Sequence, residues 1–211
     1  MDYRCPVPES PITESKCCNL ERALTFKYVK DLKRQSEAFE LVLLKDVKRF
    51  KYLFKDGKDN HHVDLSEHFP SLEIPSDLPE IDQVRYASTL LIDFTRYLHL
   101  QEDGFDELMP YIHHILEALD LVIQTAGNGD TTVDVSYVKP TFDEIPRVIK
   151  AFYEESKALL HVKFPTEIPG DGLVREKQML QDLKEHAIIK QLRVIIGQLR
   201  TAVGSLHGIF L

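Results

Sequence analysis

The sequence predicts an all-α protein, an up-up-down-down four-helix bundle with long crossover connections and an extra helix in the third connection. Two observations carry this expectation. Apolar residues recur at helical spacing in four long segments. A long connection, a link of only residues 101–104 and a second long connection join those segments. A brief turn can join only antiparallel neighbours, whereas parallel helices need a crossover that travels the length of the bundle. The 211 residues suit one substantial domain. The expected division is a cysteine-bearing N-terminal tail over 1–18 and the bundle over 19–211.

The first helix is expected over about 19–54, where Leu20, Leu24, Leu32, Phe39, Leu43, Phe50 and Phe54 share one periodic face. Its length would be about 54 Å at 1.5 Å per residue, with room for a bend at 34–36. Asp56, Gly57 and Asn60 supply polar turn chemistry at its end, and an irregular crossover carrying Pro70 and Pro75 follows. Asp77 and Glu80 have the spacing of a capping box, which places the second helix from there to about residue 100.

The third segment, 105–125, contains Pro110, so its regular helix is expected to begin near Met109, where a missing N–H is harmless. In the next connection Val133, Val135 and Tyr137 alternate with polar residues, as a short extended piece would. Thr141 and Glu144 then open the added helix, 145–161. The last helix, about 173–206, has the clearest apolar stripe in the chain, from Leu180 and Leu183 through Leu192 and Leu199 to Leu206.

Composition narrows the function classes. Hydrophobic residues make up 43% of the chain, enough for a packed core without any tryptophan. A formal charge of -8 argues against nucleic acid as a partner, although Lys27, Lys30, Lys33 and Arg34 crowd one early stretch. No apolar run is long enough for membrane insertion. The polar, proline-rich start is not a signal peptide, so the expected alternatives are an intracellular protein or a mature secreted chain with an added initiator Met. All three cysteines, Cys5, Cys17 and Cys18, precede the expected core. That clustering predicts a short disulfide staple from Cys5 to Cys17 or Cys18, with one thiol left over.

Motifs for catalysis are missing. His61, His62 and His68 form no ligand set with a recognised spacing, and His113, His114 and Glu117 reverse the order of a Glu-x-x-His metal motif without a second copy. Neither a nucleophile elbow nor a phosphate-binding glycine loop occurs. The expectation is therefore no enzyme, no metal and no cofactor, but a protein that binds through its surface. Two stretches are candidates: the crossover at 63–78 and the start of the last helix at Val174, Arg175 and Lys177. A basic residue in a first turn opposes the helix dipole, by tenths of a kcal/mol. The plainer reading makes Val174 a local packing residue and Lys177 a solvated charge.

Three stretches give the chain a family likeness. These are Cys17-Cys18-Asn19-Leu20 before the first helix, Val133-Asp134-Val135-Ser136-Tyr137 after the third, and Gly172-Leu173-Val174-Arg175-Glu176-Lys177 before the final stripe. The chain resembles the long-chain helical cytokines of the interleukin-6 class, in the branch of leukaemia inhibitory factor and ciliary neurotrophic factor. The last stretch is similar to the family's Phe-x-x-Lys motif but has Val174 in place of Phe. The added helix also exceeds the family's usual connection. The resemblance implies a secreted, monomeric, extracellular cytokine that brings together a shared signal-transducing receptor chain and a leukaemia-inhibitory-factor-receptor-like chain, with Val174, Arg175 and Lys177 in contact. The competing class is an intracellular all-helical adaptor.

Overall fold

The computed structural model describes residues 11–50, 72–101, 105–126, 142–163 and 172–210. Every regular element among them is helical: α1 (Pro11–Arg49), α2 (Glu80–His99), α3 (Met109–Ala126), α4 (Glu144–Lys163) and α5 (Gly172–Phe210). The all-α expectation holds, and α4 occupies the position of the added helix. The expected end of the first helix beyond residue 50, the turn at 56–60, the extended piece at 133–137 and Thr141 lie outside the described residues.

Helix α1 starts earlier than its apolar pattern announces. It begins at Pro11 rather than Asn19, so Cys17 and Cys18 lie on the helix and not in a tail ahead of it. Proline at a first helical position sacrifices nothing, because that N–H has no acceptor within the helix. Thr13, Glu14, Ser15 and Lys16 then continue the helix without an apolar period that a reader could follow. At residues 34–36 the helix continues, and the buried Ser36 Oγ donates to the carbonyl of Leu32 at 2.8 Å.

The start of α2 corrects the capping expectation. Pro79, not Asp77, occupies the cap position, and no side chain caps the helix. Its carbonyl accepts from the N–H groups of Asp82 and Gln83, both at 2.9 Å. Gln83 reaches back instead, its Nε2 donating to the Leu78 carbonyl at 2.7 Å. With ψ at 149°, Pro79 turns the chain into the helix by its own geometry, and a side-chain cap two residues earlier is too far away to serve. Helix α3 begins at Met109 with Pro110 in its first turn, as expected.

Contacts along α1 and α5 give their relative direction. Phe26 stacks on His207 at 5.1 Å, Glu40 pairs with Arg200 at 2.6 Å, and Phe50 meets His186 at 5.7 Å. Rising numbers on one helix meet falling numbers on the other, so the two are antiparallel. Helix α1 also packs on α3, where Phe39 stacks on Tyr111 at 5.5 Å. Helix α2 packs on α3 and α5, and α4 lies on α5 with a lighter contact to α2. At that lighter contact Arg96 sits 4.6 Å from the centre of the Phe142 ring. The Tyr86 phenol is pushed up by burial and, to a smaller extent, by the charge of Glu144.

The core gathers Val29, Leu32, Phe39 and Leu43 of α1 with Leu91 and Phe94 of α2, Ile112 and Leu119 of α3, and the α5 stripe. Leu24, expected on the inner face, is 37% exposed. It lies at the level where α5 ends, since Phe26 already faces His207. Between Met179 and Leu199 no residue of α5 is exposed. A strap from the end of the first crossover closes one side of this stretch. Leu72 and Ile74 are buried, and their N–H groups donate to Gln191 Oε1 at 3.0 Å and Gln198 Oε1 at 2.6 Å. Seven residues apart, the two glutamines stand two turns apart on one face of the helix.

Gln191→Leu leaves the buried Leu72 N–H without its acceptor. The expected loss is about 1–3 kcal/mol, read as a lower urea midpoint with an unchanged slope.

Candidate functional site

Residues 174, 175 and 177 fall in the first two turns of α5, which begins at Gly172. Positions 174 and 177, three apart, share a helix face, and 175 lies one step round. Lys177 is exposed. No acidic residue occupies the first turn of α5. The loop at 169–171 lies outside the described residues.

The sequence expectation set this helix start beside the first crossover, and the described part of the crossover is elsewhere. Leu72 and Ile74 are fastened to Gln191 and Gln198. From residue 177 to residue 191 is about 21 Å along a helix rising 1.5 Å per residue. The two candidate stretches therefore do not form one surface through residues 72–78, and 63–71 lie outside the described residues.

A different group of residues lies along this part of α5. His186 is buried, 5.7 Å from the Phe50 ring in an edge-on arrangement and 5.9 Å from the Phe152 ring. It joins the residue that follows α1, the middle of α4 and the first half of α5. Burial, with the nearby Lys190 charge as a smaller cause, pushes the imidazole down to about 3. At neutral pH it is therefore an uncharged aromatic filling a junction between three helices. A ring held so far below neutrality is a poor proton shuttle near pH 7. Ser156, one turn beyond Phe152 on α4, is buried as well. Sequence reasoning passed over His186, although its place three residues after Leu183 and beside Ala187 puts it within the apolar period.

His113 and His114 face solvent, and His61, His62 and His68 lie outside the described residues. His114 Nδ1 lies 3.8 Å from Glu117 Oε2 with both side chains largely exposed, a geometry that contributes little. Among the described residues no three His, Cys, Asp or Glu side chains are placed to hold a metal ion. No described helix is long and apolar enough to cross a membrane. Cys5 lies outside the described residues, and Cys17 and Cys18 occupy consecutive positions on α1.

Comparison with family models, curated proteins and solved structures finds no match for this chain.

Acid should weaken the fold through His186. Below about pH 6.5 the unfolded chain binds a proton at this ring, while the folded protein holds the ring neutral until about pH 3. The contribution of His186 is therefore present above pH 6.5 and is lost as the pH drops toward 3, by up to about 1.4 kcal/mol per pH unit. Urea unfolding at pH 7, 6 and 5 should show a shallower pH dependence for His186→Leu than for wild type.

The cysteine expectation has its own test. Thiol titration of oxidised, native protein should find one free thiol, and three would exclude a staple from Cys5 to Cys17 or Cys18.

Proposed function

We propose that this protein is a secreted helical cytokine, built as an up-up-down-down bundle, that binds cell-surface receptor chains and brings them together to trigger signalling. The observation that carries the reading is the pattern of helix neighbours. In such a bundle the first two helices run parallel and stand diagonally, each flanked by both members of the other pair. Helices α1 and α2 each pack on α3 and α5. The antiparallel course of α1 and α5 agrees with it, as does the short stretch, 100–108, between α2 and α3.

The direction of α2 fits too. Ile74 is tied to Gln198 in the second half of α5, and α2 starts six residues later. A helix entering there and lying along α5 runs back toward the α5 start, as α1 does. Helix α4 is then an addition within the third connection, on the outer side of α5 and α2.

Architecture alone does not assign function. The step to receptor engagement rests on the resemblance to the leukaemia inhibitory factor branch. The contact edge in this reading is the start of α5, where Lys177 offers an exposed charge and positions 174 and 175 fall in the same two turns. The protein acts as an extracellular monomer, without catalysis, cofactor, nucleic acid or membrane insertion. Its partners are a shared signal-transducing chain and a leukaemia-inhibitory-factor-receptor-like chain.

Binding to receptor ectodomains of the leukaemia inhibitory factor type tests this. Anchors at interface centres are worth about 2 kcal/mol or more each. Val174→Ala with Lys177→Ala should therefore weaken binding by at least about thirtyfold with helicity retained. Equal affinity of both proteins would remove the edge, and no binding by wild type would favour the intracellular adaptor.

A further inference from the structure

We propose that the outward face of α1 is a binding site for a linear sulfated polysaccharide. The inward face of α1 is fixed by Val29, Leu32, Phe39 and Leu43, all fully buried. On the opposite side stand Lys27, Lys30, Arg34, Lys45 and Lys48, all exposed. At 100° per residue these five fall within an arc of about 60°, and they span about 32 Å along the helix. Among the described side chains, Ala23 and Leu41 are the other exposed ones in that arc, and Ala38 lies just outside it. Glu37 lies at its edge, and Asp31 beside it pairs with Arg34 at 2.7 Å while leaving the Arg34 side chain 78% exposed.

The strip is an exception to the charge of the whole molecule, which is -8. Attraction is therefore local, and the shape of the partner decides whether it is felt. Helix α3, packed beside α1, exposes Glu117 and Asp120. A broad polyanion such as a nucleic-acid duplex would bring its phosphates against those carboxylates. A narrow, flexible chain bearing sulfates can follow one helix face and avoid them.

The composition of the strip points the same way. Lysine is a compact point charge on a mobile stem, suited to single sulfate oxygens at varied spacing rather than to one fixed bidentate geometry. No aromatic residue lies in the arc to stack on bases, as single-stranded nucleic acid would favour. Leu41, 68% exposed, is the one large apolar side chain among the described residues of the strip, too little to embed in a lipid surface. Permanent sulfate charges facing a row of cations give binding by counterion release, with steep salt dependence.

This site does not depend on the receptor reading, and it is tested with heparin as the probe. Wild type should bind immobilised heparin and elute at higher salt than from a sulfopropyl cation exchanger. Lys27→Gln, Lys30→Gln and Lys45→Gln combined should weaken heparin binding by about tenfold or more and lower the salt slope by about two. The same number of cations removed from α4, by Arg147→Gln, Lys150→Gln and Lys157→Gln, should change it little. Glutamine suits exposed helix positions, and unchanged circular dichroism would verify the fold. Elution from heparin no later than from the exchanger would overturn the proposal. Equal weakening by the two triple variants would do so as well, and so would displacement by duplex DNA as effective as by heparin itself.

Discussion

Helix α5 has no exposed residue between Met179 and Leu199, so most of its partners lie within the protein. That constraint on α5 governs much of the rest of the molecule. Apolar side chains such as Leu183, Ile188, Leu192, Ile195 and Ile196 meet it by packing against α1, α2 and α4. A buried polar side chain such as Gln191 cannot, since buried polar groups need hydrogen-bond partners. Gln191 and Gln198 resolve the conflict by accepting from the main chain of residues 72 and 74. An extended backbone has N–H groups with no helical acceptor, so each side satisfies the other. The pairing also fixes where the crossover ends and hence where α2 can begin.

The junction at His186 obeys the same constraint by a different route. An ionised ring between Phe50 and Phe152 would pay heavily in desolvation, so the neutral form prevails and behaves as a flat, mostly apolar filler. Ring contacts thereby tie α1 and α4 to α5 at one level. Farther along, Glu40 and Arg200 hold the α1–α5 register in a partly solvated setting. A pair so placed contributes modestly to stability, and its main consequence is alignment.

Much of the helical content was legible because a helix that buries one face must repeat its apolar residues at a period near 3.6. Leu183 to Leu206 and the segment after Pro110 are plain cases. The signal disappears where periodicity does. Pro11 opens α1 over a polar stretch, and Pro79 turns the chain into α2 although Asp77 and Glu80 have cap spacing. The strap at Leu72 and Ile74 depends on glutamines 119 and 124 positions away, a distance that local pattern does not reach. At the candidate contact edge, the exposed position of Lys177 agrees with its reading as a surface charge. The separation of that edge from residues 72–78 was not legible, because it depends on the same long-range bonds.

Helix α5 follows all of its partners in chain order, and this has a consequence for synthesis. A chain emerging from the ribosome presents α1, α2 and α4 before the helix they pack against has been made. Their apolar faces must wait, α1 longest of all, since Phe26 meets His207 across almost the whole chain. Contacts so distant in sequence slow closure and prolong the period in which sticky surfaces are open to one another. The nascent protein is thus a natural client for a holding chaperone, and loss of α5 through premature termination would leave an aggregation-prone remnant in place of a smaller bundle.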